Sequence, residues 1–263
     1  MKLVDIGANL AHDCFDSDRD RVIRRAKDAG VYRLVLTGSS AQSNHDALAI
    51  ARDRPGELFS TAGLHPHHAS EYTDSLHASI RDLLHDEQVV AVGECGLDYF
   101  RDFSPRDAQR IAFERQLELA VESGKPVFLH QRDAHRDFID VLGPQLQNIS
   151  RGVAHCFTGT GDELRELLDL DLYIGITGWI CDERRGQHLL DIVDMIPDDR
   201  LMIETDAPYL LPRTLRPKPK TRRNEPAWLP EVLRVVAEGR GQSIEHVAES
   251  TTRTANYFFG LPD

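Results

Sequence analysis

Carboxylates and imidazoles close a series of short apolar runs in this chain. Asp5 sits in "LVDI", His65 and His67 follow "LFSTAGL", and Glu94 ends "VVAVGE" with Asp98 close behind. His130 ends "PVFLH", His155 lies in "GVAHCF" and Asp206 ends "LMIETD". One histidine in an apolar strand is more often a satisfied core residue than a ligand. Six runs that each carry a group costly to bury alone are better explained by a shared cation. Glu94, His130 and His155 make a two-histidine, one-carboxylate set with open positions, which suits the activation of a water. Gly93 and Gly96 leave room around that carboxylate. Asp206 then faces the set as general base or further ligand. Glu204, two residues earlier, either orients a ligand histidine or is a structural acid bonded to backbone.

The elements that must position these groups are legible as a repeat. Apolar runs occupy 3–6, 32–38, 58–65, 89–94, 126–130, 152–157, 172–178 and 201–206. They start roughly every 28 residues, the length of one strand–helix unit. Between them apolar residues recur at i, i+3 and i+4. In 106–125 Ile111, Phe113, Leu117, Leu119 and Val121 alternate with charge, and Gly124 is a stop signal. Eight units read as an α/β fold of the (β/α)8 TIM-barrel type. The rival, an open doubly wound sheet, lacks support because no Gly-x-Gly-x-x-Gly follows the first strand. The expectation is a single domain over 1–263, with C-terminal helices from about 226. A barrel gathers its chemistry at the C-terminal strand ends, where the acids and histidines fall. Cys95 and Cys156 sit at the opposite strand parity and are expected to face the helix layer.

Composition narrows the class. The 263 residues carry a net charge of −12, which disfavours a generic nucleic-acid coat or a membrane-surface protein. No apolar stretch reaches transmembrane length, and "MKLVDIG" opens no signal peptide. Four cysteines without a Cys-x-x-Cys pair suit reduced thiols, so the expectation is a cytoplasmic protein, acting as a monomer. One segment reverses the charge. Between Ala207 and Asn224 there is no acid, while Arg213, Arg216, Lys218, Lys220, Arg222 and Arg223 are all basic. A barrel would place this proline-stiffened loop at its mouth, where a polyanion would find charge balance. A solvated loop pairing with surface acids explains it about equally well. Tyr99, Phe100 and Phe103 interleave with Arg101 after Glu94, as aromatics that stack on splayed bases would. Trp179 could stack or pack in the same way, and Arg184 and Arg185 are weaker candidates for balancing the charge of a polyanion.

The blocks "STAGLHPH", "GECGLDYFRDFS", "VFLHQRDA", "HCFTGT", "YIGITGWICDERRG", "LMIETDAPYLLP" and "RRNEP" together resemble the TatD family of metal-dependent deoxyribonucleases, over almost the whole chain. Gly7, Asn9 and "GITGWICDERRG" place the likeness in the branch that gives the family its name. The resemblance implies a metal-dependent hydrolase of phosphodiesters, with 3′→5′ exonuclease action on single-stranded DNA and possibly RNA, in DNA repair or degradation. It carries over Glu94, His130 and His155 as a metal site and Asp206 as the acid opposite. It also carries over His65 and His67 as phosphate or substrate contacts. Magnesium is the ion implied, while imidazole donors also suit manganese or zinc. In the wider family the first strand supplies Asp-x-His-x-His; here Gly7 and Asn9 stand in for the histidines. The expectation is therefore one ion at Glu94, His130 and His155, and a weak second site near Asp5, Asn9 and Asp206. Two other classes compete. One is another metal hydrolase on the same scaffold, such as an aminoacyl-tRNA deacylase or a small amide or lactone hydrolase. The other is a non-catalytic binding protein on a decayed barrel. The basic loop speaks against an uncharged small substrate, and the retained acid–histidine set speaks against decay.

Overall fold

The computed structural model describes residues 1–262. Its eight strands are β1 (Leu3–Ala8), β2 (Val31–Leu36), β3 (Leu58–Ala62), β4 (Val89–Asp98), β5 (Val127–Arg132), β6 (Gly152–Ala154), β7 (Tyr173–Ile176) and β8 (Leu201–Ile203). They pair in parallel and in chain order from β1 to β8. The ring closes just beyond β8, where the Asp206 amide donates to the Gly7 carbonyl (2.8 Å) and the Asn9 amide to the Ala207 carbonyl (2.7 Å). All eight apolar runs are strands, and the barrel expected from their spacing is the fold observed.

Strand periodicity divides the core in two. Val4, Ile6, Val35, Phe59, Phe128 and Met202 fill the barrel interior. Leu3, Leu34, Leu36 and Leu58 point the other way and pack under the helices. The helices are α1 (Arg19–Asp28), α2 (Ala41–Arg52), α3 (Asp74–Leu83), α4 (Arg106–Ser123), α5 (His135–Leu142), α6 (Gly161–Asp169), α7 (Gln187–Leu190), α8 (Leu229–Arg240) and α9 (Ile244–Phe259). Gly124 ends α4 in the left-handed conformation (φ 68°), and the Ser243 hydroxyl caps α9 by accepting from the His246 amide.

Three details differ from the sequence reading. Ile111 and Val121 lie exposed on α4; its buried stripe runs through Ala112, Phe113, Gln116, Leu117 and Ala120, so two apolar residues fall off the core-facing arc. The seventh crossover holds a single α-helical turn, α7, between two short 3-10 turns, and α8 serves as the eighth helix of the ring. The remaining helix, α9, closes the barrel floor. Its Phe258 and Phe259 join the interior cluster, with the Phe258 ring centred 4.9 Å from that of Tyr173.

β4 is the longest strand, and all ten of its residues are buried. It runs so close to β5 that a Cβ on Gly96 would overlap the His130 carbonyl, and Gly96 has φ +142°. Only glycine fits that approach, which sets Glu94 and His130 side by side. Gly96→Ala is expected to destabilise the protein by about 3 kcal/mol or more. Urea unfolding of the variant against the parent chain measures this, and a shift within error would show that β4 can move aside.

Candidate active site

Three strand ends and one turn bring the acid and the histidines together. Glu94 projects from β4, and His130 from β5 lies beside it, with Nδ1 3.0 Å from Glu94 Oε1. His65 precedes a short 3-10 turn. Its Nδ1 accepts from the His67 amide (3.1 Å), and its Nε2 faces the same Glu94 oxygen at 3.3 Å. His155 follows β6; Nδ1 meets Glu204 Oε2 at 2.8 Å, and Nε2 again faces Glu94 Oε1 at 3.3 Å. One carboxylate oxygen is thus approached by three imidazoles.

Burial would raise the Glu94 pKa, but His65, His155 and His130 overcome it and hold the carboxyl well below its usual range. Burial would lower the pKa of His155, and the flanking Glu204 and Glu94 carboxylates outweigh it, holding the imidazole well above its usual value. For His65 burial prevails, and its pKa falls to about 4.

These residues fit a cation. With His155 Nδ1 bonded to Glu204, Nε2 is left facing a carboxylate, an arrangement that needs a proton or a positive ion between them. His130 Nε2 is buried, makes no well-aligned hydrogen bond, and lies 3.4 Å from Asp98 Oδ2. Ligand atoms of His65, Glu94 and His130 all lie within 4.8 Å of one another. His65, expected from the sequence to touch phosphate, therefore joins the donor cluster. His67 turns instead to Asp98, with Nε2 2.8 Å from Oδ2. Asp98 also accepts from the Phe100 and Arg101 amides (3.0 and 2.8 Å). It thereby sets both the His67 ring and the loop that follows.

Asp206 stands across the mouth with φ 53°, and the Asn9 side-chain amide donates to its Oδ1 (2.9 Å). Burial lifts its pKa to about 7; His155 opposes the rise, and Glu94 and Glu204 add to it. Of the weak second site expected near Asp5, Asn9 and Asp206, Asn9 and Asp206 adjoin at the mouth and Asp5 lies apart from them. Asp5 lies between Val4 and Ile6, both of which point into the barrel, so it points outward. There it accepts from the Thr205 hydroxyl (2.5 Å) and amide (2.9 Å), tying β1 to the chain beyond β8. Asn9 orients Asp206 through its amide nitrogen, and its carbonyl oxygen takes no part in that bond. Glu204 is fully buried, with Oε1 accepting from the Cys156 amide (2.6 Å) while Oε2 holds His155. It both orients a histidine and bonds to backbone. A Cβ on Gly7 would lie 2.5 Å from Glu204 Oε2, so this carboxylate fills the space that a β1 side chain would take.

The mouth is a cavity of about 450 Å³ lined by this cluster and by Arg101, Arg132, Arg185, Trp179 and Tyr209. The basic loop contributes less than its composition suggests. Arg213 pairs with Glu183 (2.8 and 3.0 Å). Arg223 grips Asp18 through both guanidinium nitrogens (2.8 and 2.9 Å) and also bonds Glu225 (2.8 Å). Both are taken up in holding the loop to its neighbours. Arg222 is exposed and outside the mouth. Tyr99 turns away, donating to Asp137 (2.7 Å) with Arg106 over its ring. Phe100 and Phe103 remain exposed beside the mouth. Cys95 is buried in the outer core as expected. Cys156 is not: at φ 47° the chain bends and turns it into the mouth, its sulfur 3.4 Å from the Thr177 hydroxyl. Arg132 escaped the sequence reading, although "HQR" puts it two residues beyond His130 on the same strand face.

Fold and site define a barrel with a histidine–carboxylate cluster at its C-terminal strand ends. The chain belongs to the TatD-related DNase family, whose model matches residues 4–260. It is 50% identical over 260 residues to a protein of Erwinia billingiae named 3′-5′ ssDNA/RNA exonuclease TatD, covering 99% of this chain and 100% of that one. A protein of the same name from Musicola paradisiaca is 51% identical over 259 residues, covering 98% of each. Among solved structures, a TatD-family hydrolase from Entamoeba histolytica superposes with a TM-score of 0.90 at 25% identity, over 100% of this chain and 99% of that one. A TatD homologue from Escherichia coli gives 0.89 at 27% identity, over 99% and 98%.

The ion pairs of the basic loop carry a test. Arg223→Ala is expected to cost about 2 kcal/mol of stability, and Arg222→Ala less than about 0.5 kcal/mol. The hydrogen bond from Arg223 holds the Asp18 pKa at about 2, below its unfolded value of 3.8. The pair is therefore fully stabilising above roughly pH 4, and its contribution is lost as pH falls toward 2. Urea midpoints at several pH values should show the gap between parent and Arg223→Ala closing over that window.

Proposed function

We propose that this chain is a metal-dependent 3′→5′ exonuclease that removes nucleotides from single-stranded DNA and RNA, acting as a cytoplasmic monomer. The observation that carries the reading is the convergence of His65, His130 and His155 on Glu94, at the floor of a mouth lined with arginines. The names of relatives near 50% identity support it. No helix of the described residues is long and apolar enough to cross a membrane.

Glu94, His65, His130 and His155 would hold the ion, with Asp206 across from them. Bound there, a divalent cation supplies positive charge to the phosphoryl oxygens and acidifies water. We assign magnesium, with manganese and zinc as the alternatives that the imidazole donors admit. Asp206 has one oxygen occupied by Asn9 and the other free to accept a proton from the attacking water. Glu204 fixes the His155 ring so that Nε2 points at the site. His67, held by Asp98, stands at the mouth to give a proton to the departing 3′ oxygen. Water oxygen bonds to phosphorus, the bond to the 3′ oxygen breaks, and a 5′-mononucleotide leaves. A small amide or lactone hydrolase gains no support from a mouth with this many arginines.

Glu94→Gln and His155→Ala are each expected to lower release of mononucleotides from a labelled single strand by about 10³-fold. Chelator should abolish release and added magnesium restore it. Turnover that survives both variants in folded protein would remove this site from the reaction. Glu204→Gln should weaken ion binding by about 10- to 100-fold, read by titration calorimetry without substrate.

A further inference from the structure

Among the described mouth arginines, Arg101 and Arg132 have no carboxylate partner, and Arg132 is the more closely stacked, at 3.8 Å from the Phe100 ring centre against 5.7 Å for Arg101. Arg132 ends β5, its carbonyl accepting from the Tyr99 amide at 2.9 Å. Its guanidinium lies 3.8 Å from the centre of the Phe100 ring and 5.5 Å from that of Trp179. No carboxylate of the described residues lies within salt-bridge distance of it. Its register neighbour Asp98 turns its own carboxylate to His67 and to two loop amides instead. Arg185 differs: it stacks on the far part of the same wall, 4.2 Å from Trp179, but is paired with Asp182 at 2.9 Å. A guanidinium stacked on aromatic rings keeps its edge donors free and loses little entropy on binding, and its planar fork matches phosphate.

Resting on the exonuclease reading above, we propose that Arg132 binds the phosphate next to the scissile one, on the strand that is retained. Two residues of strand separate it from His130, about 6.6 Å. That step leads outward from the cluster toward solvent and is comparable to the spacing of successive phosphates in an extended strand. The terminal nucleotide must lie at the cluster, so the chain leaving through the mouth carries its next phosphate past the Phe100–Trp179 wall. Arg132 is thus a substrate-length and register determinant, distinct from the groups at the reacting phosphate.

Substrates of two and three nucleotides separate these roles. A dinucleotide has only the scissile phosphate, whereas a trinucleotide has the second. Arg132→Ala is expected to lower kcat/KM on the trinucleotide at least about tenfold more than on the dinucleotide. Arg132→Lys should recover part of the loss, since it keeps the charge without the stacked fork. A metal-free binding measurement gives a second readout. For a phosphorothioate-protected oligonucleotide, the slope of log affinity against log salt should shrink by about 0.7 in Arg132→Ala. Equal losses on both substrates, or an unchanged slope, overturn the subsite alone. A parent enzyme inert on both substrates with any divalent ion overturns the exonuclease reading and the subsite with it.

Discussion

Glu94 Oε1 is the point on which the mouth is built, because three imidazole nitrogens meet one carboxylate oxygen there. No pair of these groups is stable alone at this depth. A buried carboxylate is expensive, and so is a buried imidazolium. Together they lower each other's cost, and the surroundings fix where each ring stands. Glu204 holds His155 from below, the His67 amide holds His65, and the close packing of β4 on β5 holds His130. The barrel matters to function through these supports. Each ligand arrives from a different strand, and the eight-stranded ring turns that separation in sequence into adjacency.

The charge of the mouth follows a related logic. The protein is acidic overall, and two of the six bases in its conspicuous basic loop are paired with neighbouring acids. Arg213 answers Glu183, and Arg223 answers Asp18 and Glu225. The cations that face the cavity come from elsewhere: Arg101 after β4, Arg132 at the end of β5 and Arg185 after β7. A run of like charge in sequence is therefore a poor guide to free charge in space, because loops of this length must be fastened and ion pairs are a ready fastener.

How much of this was legible depended on the range of the interaction. Eight strands, their order and the acids at their ends follow from local periodicity and spacing, and those signals are strong. Glu94, His130, His155 and Asp206 could be placed because each ends its own apolar run. His65 could be placed at the mouth but not among the donors, since its ring direction is set by a turn whose hydrogen bond to the His67 amide has no sequence signature. Asp5 looked like a mouth residue because it shares sequence parity with Gly7 and Asn9. A register irregularity between Asp5 and Ala8 breaks that parity, and bulges of this kind follow from pairing with β2 rather than from β1 alone. Tyr99 and Cys156 were misplaced for the same reason. Their directions are decided by loop bends, at Asp98 and at Cys156 itself, that periodicity does not encode.

The stretch from Asp5 to Asn9 shows what a strand can give to a site without donating a ligand. Gly7 provides volume, and Glu204 occupies it from across the ring. Asn9 provides one hydrogen bond, which turns Asp206 toward the mouth. Asp5 provides the tie that keeps β1 in register with the chain beyond β8. That tie adds to the two backbone bonds, from the Asp206 and Asn9 amides, that close the ring there. A histidine at position 7 would have to displace the carboxylate that orients His155.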